Sequence, residues 1–220
     1  MKEVFSGVFS DGKFLYTRNL REGVSVYGER LFSEQGVEFR HWSASTSKLA
    51  AGIQKGLKDF PFREGSKVLY LGVGTGSTAS HVSDIIGLEG LLVGVDVSAV
   101  MMRSFIQLSE QRGNVAPLLA DAGRPEAYPE ELRKVKFDVL VQDVSQRNQA
   151  EIFLRNASLL REKGSGLLSI KARSINVHGN PERVFREETL KLGKGFQVLQ
   201  SVGLHPFEKA HALVLCRKKD

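Results

Sequence analysis

The sequence predicts an α/β chain: a parallel sheet covered by helices on both faces, closed by an antiparallel hairpin and preceded by a small antiparallel β unit. From Lys67 onward, short apolar runs alternate with stretches of helical spacing, as strand–helix units do. The runs are almost continuously apolar, which is the pattern of strands buried on both faces. The last two extended segments, 197–204 and 212–216, are joined by a link around Pro206 that is too short for a parallel crossover.

Taken in order, Val4-Phe5 and Val8-Phe9 precede Ser10-Asp11-Gly12, an Asp-Gly turn signal, and 13–17 resumes an extended pattern. Segments 24–26 and 27–32 read the same way, so 1–45 is expected to form the small β unit and 46–220 the main domain. Over 47–60 the period changes: Leu49, Ile53 and Leu57 recur four apart, predicting an amphipathic helix. The main-domain strands are expected at 68–71, 91–97, 115–119, 137–141 and 167–170. Helices are expected between them at 78–86, 99–110 and 149–160. This gives five parallel strands plus the hairpin.

Length and composition suit such a fold. With 220 residues, 41% hydrophobic and 25% charged, the chain can bury a sizeable core and is not a disordered tail. One cysteine, Cys216, excludes an internal disulfide framework and a multi-cysteine zinc site, and suits a reducing cytoplasm. No apolar run approaches the roughly 20 residues of a membrane span, and the first ten residues carry no secretory signal. The net charge of +6 makes a polyanion a candidate partner.

The sharpest motif is Gly72-Val73-Gly74-Thr75-Gly76, between an apolar strand and a helix beginning near Ser77. Glycines there permit a tight turn and close approach of a ligand, and the free N–H groups of the helix start attract anionic or lone-pair-rich groups. Ser77 stands where a dinucleotide fingerprint wants glycine, and no Walker-type lysine is present. Asp96 closes the second strand, where a carboxylate can accept two ribose hydroxyls. Asp121 follows the third, at the depth of an adenine amino group. A glycine loop with two carboxylates at strand tips fits an adenosine-bearing cofactor, and S-adenosylmethionine fits best. The architecture is that of a Rossmann-like methyltransferase.

Tyr70-Leu71-Gly72 with Ser77 to Asp84, Phe137-Asp138-Val139 and Gln142-Asp143-Val144-Ser145-Gln146, Gln149-Ala150, Asn156-Ala157, Ser169-Ile170-Lys171-Ala172 and Pro206 to Ala212 together resemble the fibrillarin family. The resemblance runs over nearly the whole chain and, lacking a Gly/Arg-rich start, looks like the archaeal, cytoplasmic form. It implies an S-adenosylmethionine-dependent RNA 2′-O-methyltransferase of rRNA and tRNA. Such an enzyme works inside a box C/D guide-RNA particle, with a Nop-domain scaffold and a kink-turn-binding protein, and pairs guide with target RNA. By the same resemblance the cofactor contacts fall on Gly72, Gly74, Gly76, Ser77, Thr78, Asp96, Val97, Asp121, Ala122 and Asp143, Val144, Ser145 and Gln146. The catalytic set falls on Lys48, Asp143, Lys171 and His211. The chain departs from the family pattern at Asp96-Val97 (usually Glu-Phe), Gly123, Ala44, Thr46 and Ala210.

The chemistry explains the residue types. A ribose hydroxyl is a poor nucleophile and a methyl sulfonium an activated electrophile, so the protein must align the atoms and ease loss of the hydroxyl proton. Lys171 at a strand end is expected to hydrogen-bond the hydroxyl oxygen, with Asp143 orienting it. Lys48 and His211 would complete a polar rim. Each also has a plain structural reading: Lys48 as a surface lysine, Asp143 as a helix cap, His211 as a structural histidine. His81 reads as a packing or polar contact, and Leu154, Ala157 and Leu160 as core. Trp42 and Phe39 read either as base-stacking or as packing residues. Arg155, Arg161, Lys163, Arg173, Arg183, Lys191 and Lys194 are expected to include an RNA track alongside plain solvated charge. Two other readings share the fold: a stand-alone small-molecule methyltransferase, and a structural subunit without turnover.

Overall fold

The computed structural model describes residues 1–219. A five-stranded antiparallel sheet comes first: β1 (Lys2–Phe5), β2 (Val8–Ser10), β3 (Leu15–Arg18), β4 (Leu31–Glu34) and β5 (Val37–Trp42), in the order β1-β2-β3-β5-β4. The Asp-Gly turn joins β2 to β3. There the Asp11 carboxylate accepts the amides of Phe14 at 2.7 Å and Lys13 at 2.8 Å, which hold its pKa down at about 2. Segment 24–30, expected to be extended, is instead a loop, because the Glu29 carboxylate gathers the amides of Val26 and Tyr27 into a turn.

Helix α1 (Lys48–Gln54) begins at Ser47, whose hydroxyl caps the Ala50 amide. It is shorter than the predicted 47–60, because Gly56 takes a left-handed conformation (φ +86°) and turns the chain out. Leu57 and Phe60 still enter the core, from irregular backbone.

The second sheet is assembled from β6 (Lys67–Leu71), α2 (Ser77–Ile86), β7 (Leu91–Asp96), α3 (Ala99–Glu110), β8 (Val115–Leu119), α4 (Glu130–Lys134), β9 (Phe137–Gln142), α5 (Gln149–Asn156), β10 (Leu160–Lys171), α6 (Ala172–Ile175), α7 (Pro181–Leu192), β11 (Phe196–Gly203) and β12 (His211–Lys218). Its order is β11-β12-β10-β9-β6-β7-β8, with β6 to β10 mutually parallel and β12 antiparallel to both β10 and β11. The expected five parallel strands and hairpin are therefore present. Helix α5 stops at Asn156, and a 3-10 turn at Ala157–Leu159 leads into β10, which starts at Leu160 rather than 167. Helix α7 had no counterpart in the sequence reading.

Alternate residues of the central strands feed the two faces. Val68, Tyr70, Val139 and Leu167 pack with Phe60, Val82 and Phe105 on one side; Leu69, Leu71, Leu140 and Leu168 pack with Phe137, Phe153 and Phe196 on the other. Full burial of each such side chain is worth roughly 1.5–3 kcal/mol. Among the described residues no helix is long and apolar enough to cross a membrane.

A buried ionic joint ties the first sheet to α2. The Arg40 guanidinium pairs with Glu29 at 2.6 Å and Asp84 at 2.7 Å, and Arg112 pairs with Asp84 at 2.7 Å, every side chain at most 1% exposed. Thr17 donates to Asp84 at 2.7 Å. Its hydroxyl hydrogen is thereby used, so His81 Nδ1–H donates to the Thr17 oxygen (2.8 Å) and Nε2 accepts from the Tyr27 hydroxyl (2.6 Å). Burial, then Arg40 and Arg112, depress the His81 pKa well below its ordinary value and keep the ring neutral. Trp42 stacks on that ring at 5.1 Å. Trp42 and Phe39 are both buried and pack, leaving neither free for a base.

Candidate active site at the strand tips

Past their carboxyl ends the central strands remain tied. Asp143 N–H donates to Leu71 O (2.8 Å), Gly72 N–H to Val95 O (2.8 Å) and Ala120 N–H to Asp96 O (3.0 Å). The chain order reverses between β6 and β9, and it is there that open α/β sheets form a crevice. A cavity of about 710 Å³ occupies it.

Gly72 (φ +74°) crosses so close to the tip of β9 that a Cβ would lie 2.9 Å from the Asp143 carbonyl carbon and oxygen. Only glycine fits there. Gly74 and Thr75 carry the loop along the cavity wall into Ser77 and Thr78 at the start of α2. Gly76 differs from expectation: it is buried behind the loop, where a Cβ would meet Phe105 at 2.5 Å, so it seats α3 against the loop rather than lining the cavity.

Across the floor, the Asp96 carboxylate accepts Gly74 N–H and Ser98 N–H, both at 2.9 Å, which fixes it at the cavity edge. Asp121 closes its own turn by accepting Gly123 N–H at 2.8 Å, and it too lines the cavity. Val97, Met101, Ala122 and Val144 form apolar walls, and Ser145 and Gln146 the far lip. Tyr70 lies underneath; burial, and then the Asp143 charge, push its phenol pKa up and keep it neutral. Residues shaped as a glycine cradle, two anchored carboxylates and apolar walls suit an adenosine-bearing cofactor.

Lys48, Asp143 and Lys171 converge at one end of this cavity. Lys48 Nζ donates to Asp143 Oδ2 at 3.0 Å. Lys171 Nζ lies 2.9 Å from Asp143 Oδ1, and its hydrogen bonds go to the Asp143 carbonyl (2.7 Å) and the Ser145 hydroxyl (3.1 Å). One carboxylate thus bridges two lysines, each lysine side chain less than one-fifth exposed. His211 is set beside Lys171 by the β10–β12 register. It reaches the cluster through Glu208, which lies 3.7 Å from His211 Nδ1 and 3.8 Å from Lys48 Nζ. His211 Nδ1–H donates to Lys209 O at 2.7 Å, leaving Nε2 as the basic nitrogen.

Glu208 was missed as a bridge, although its place three residues before His211 was visible. The Ser145 contact to Lys171 was missed as well. Of the seven expected track residues, Arg161 pairs with Asp138, Arg183 with Glu187 and Lys191 with Glu188, while Arg155 and Arg173 bond main-chain carbonyls.

Comparison with known proteins finds the same fold and a matching family model. The family model described as Fibrillarin matches residues 1–220. The fibrillarin-like rRNA/tRNA 2′-O-methyltransferase of Thermococcus sibiricus is 46% identical, over 99% of this chain and 98% of its own. The crystal structure of Aeropyrum pernix fibrillarin with natively bound S-adenosyl-L-methionine superposes with a TM-score of 0.86 at 41% identity, covering 98% of this chain and 96% of that one. A fibrillarin/Nop5p complex gives a TM-score of 0.88 at 34% identity, over 99% of this chain and 100% of its own.

Proposed function

The chain belongs to the fibrillarin family, and from that premise we propose that it is an S-adenosylmethionine-dependent RNA 2′-O-methyltransferase acting on rRNA and tRNA. In this reading it is the catalytic subunit of a box C/D guide-RNA particle, seated on a Nop-domain scaffold with a kink-turn-binding protein. The observation that carries the reading is the Lys48–Asp143–Lys171 cluster beside the cavity lined by the glycine loop, Asp96 and Asp121. The Nop5p complex of a similar chain supports the scaffold partner, and archaeal relatives support a cytoplasmic setting. Residues 1–45 serve as a β unit docked on the 46–220 methyltransferase domain.

S-adenosylmethionine supplies an activated methyl group on a sulfonium. Asp96 would hold the ribose hydroxyls and Asp121 the adenine amino group. Val97, Ala122 and Val144 would flank the base, and the amides opening α2 near Ser77 and Thr78 the amino-acid carboxylate. Val97 offers less contact than an aromatic would, which weakens cofactor grip without touching the reacting end. At that end Lys171 faces the acceptor hydroxyl and stabilises charge growing on its oxygen, while Asp143 fixes the lysine. Lys48, Glu208 and His211 complete the polar rim, and the hydroxyl loses its proton as the methyl group is transferred.

The test is a reconstituted assay with a tritiated methyl donor, guide RNA and both partner proteins. Guide-matched RNA should be labelled, and the same RNA with a 2′-deoxy target should not. Labelling of a small metabolite by the chain alone overturns the RNA assignment. Absence of binding heat with millimolar donor overturns the enzymatic one.

A further inference from the structure

The β9–β10 pairing ends at Leu168 opposite Gln142, yet β10 runs three residues further to Lys171. On its other side β10 stays paired with β12 as far as Lys171 opposite His211. The β9-facing edge of Lys171 therefore has no strand beside it. Gln149 stands in that gap. Its Oε1 accepts the Lys171 amide at 2.9 Å and its Nε2 donates to the Lys171 carbonyl at 3.4 Å, so one carboxamide replaces the missing peptide group.

Gln149 is itself fully buried and held from two directions. Its carbonyl accepts Gln142 Nε2 at 2.8 Å, and Gln142 is the residue immediately before Asp143. The next amide, Ala150 N–H, donates at 2.9 Å to Glu188 of α7, whose carboxylate is buried and paired with Lys191. One residue thus ties the main chain of Lys171 to the tip carrying Asp143.

We propose that Gln149 is a positioning residue for Lys171: its side chain completes the edge of β10 and sets the reach of the lysine amine to Asp143. The proposal rests on the methyltransferase reading of the site. A shift of the lysine by a fraction of an ångström to an ångström would cost turnover about ten- to a hundredfold without altering the cofactor cavity.

Gln149→Met and Gln149→Glu test it on the full chain. In Gln149→Met the Lys171 amide should exchange with deuterium at least about tenfold faster, while the Ala172 amide, bonded to Ala210 O, is unchanged. In the assembled particle kcat should fall by about ten- to a hundredfold, with cofactor Kd and RNA KM within about twofold. Gln149→Glu keeps the acceptor, so it should retain amide protection and recover part of kcat with an altered pH profile. Unchanged exchange at Lys171, or kcat, Kd and KM moving together in Gln149→Met, overturns the proposal. If Gln149→Met does not fold, a Gln149→Glu chain with wild-type kcat and pH profile overturns it. Exchange needs no RNA. Lost protection in a protein whose unaltered form fails to methylate supports the clamp and overturns the activity reading.

Discussion

Acidification from pH 6.5 to 4.5 should weaken the fold through one buried ring. In the native chain His81 is neutral, its pKa held well below 6.5 by burial and by Arg40 and Arg112; in the unfolded chain it titrates near the ordinary value, about 6.5. The unfolded state therefore takes the proton first. Stability is complete above about pH 6.5 and drains away as the pH falls toward the native value. One proton gives a slope of about 1.4 kcal/mol per pH unit, hence up to about 2.7 kcal/mol over the interval. That is a large share of the roughly 5–15 kcal/mol of a folded chain, and at roughly 2–4 °C per kcal/mol it lowers Tm by about 5–11 °C. The Glu29 carboxyl is also held down: burial opposes this, but the Val26 and Tyr27 amides and Arg40 prevail, and its loss of the same sign begins only below about 4.5. His41 is also lowered, by partial burial, and contributes with the same sign, so a His81→Phe chain is the control. It keeps an aromatic ring against Trp42 and removes the proton. Urea unfolding followed by fluorescence of Trp42, the single tryptophan, reads both chains across the interval. Parallel stability–pH curves for wild type and His81→Phe would refute the reasoning.

Three further outcomes are expected. Lys171→Ala should fold and bind S-adenosylmethionine, yet lose methyl transfer by about a hundredfold or more; unchanged single-turnover rates would remove Lys171 from the chemistry. Gly72→Ala should cost about 1–3 kcal/mol in urea unfolding and at least tenfold in cofactor affinity by calorimetry, because the added Cβ meets the Asp143 carbonyl at a left-handed backbone position. Arg40→Met should cost about 3–5 kcal/mol, since it removes the cation paired with the buried Glu29, leaving that carboxylate only the Val26 and Tyr27 amides, and takes one of two guanidinium partners from Asp84. A Tm within a few degrees of wild type, measured by calorimetry, would contradict that last figure.

The parts legible in the sequence are those whose signal is local. Helix α3 was read to the residue because Ser98 caps it and Met102, Phe105 and Leu108 keep its buried face regular. The strand tips and glycine loop were legible because short apolar runs end abruptly in Asp and Gly. Helix α7 was not, although Asn180 caps it and Pro181 opens it, because Glu188 occupies the buried stripe between Val184 and Leu192. That carboxylate is buried for a partner on another helix, which no periodicity displays. The 24–30 segment failed for a related reason: its turn is made by a carboxylate paired with Arg40, and alternation of Val and Tyr imitates a strand. At the site, the four cluster residues were legible through the family resemblance. Glu208 and Gln149 were not assigned, because each meets its lysine across the fold, Glu208 beside Lys48 and Gln149 on the Lys171 amide.

The ionic joint also bears on how such a chain can change over generations. Glu29 and Arg40 lie on one side of the contact and Asp84 and Arg112 on the other, so each side brings a plus and a minus of its own. Neither half carries a net charge into the dry contact. A mutation that deletes one charge strands its mate within the same half, whereas loss of both members together leaves the opposite half internally neutral. Drift at this junction should accordingly proceed two residues at a time, and a front sheet transplanted from a cousin should dock whenever it arrives with its own matched couple.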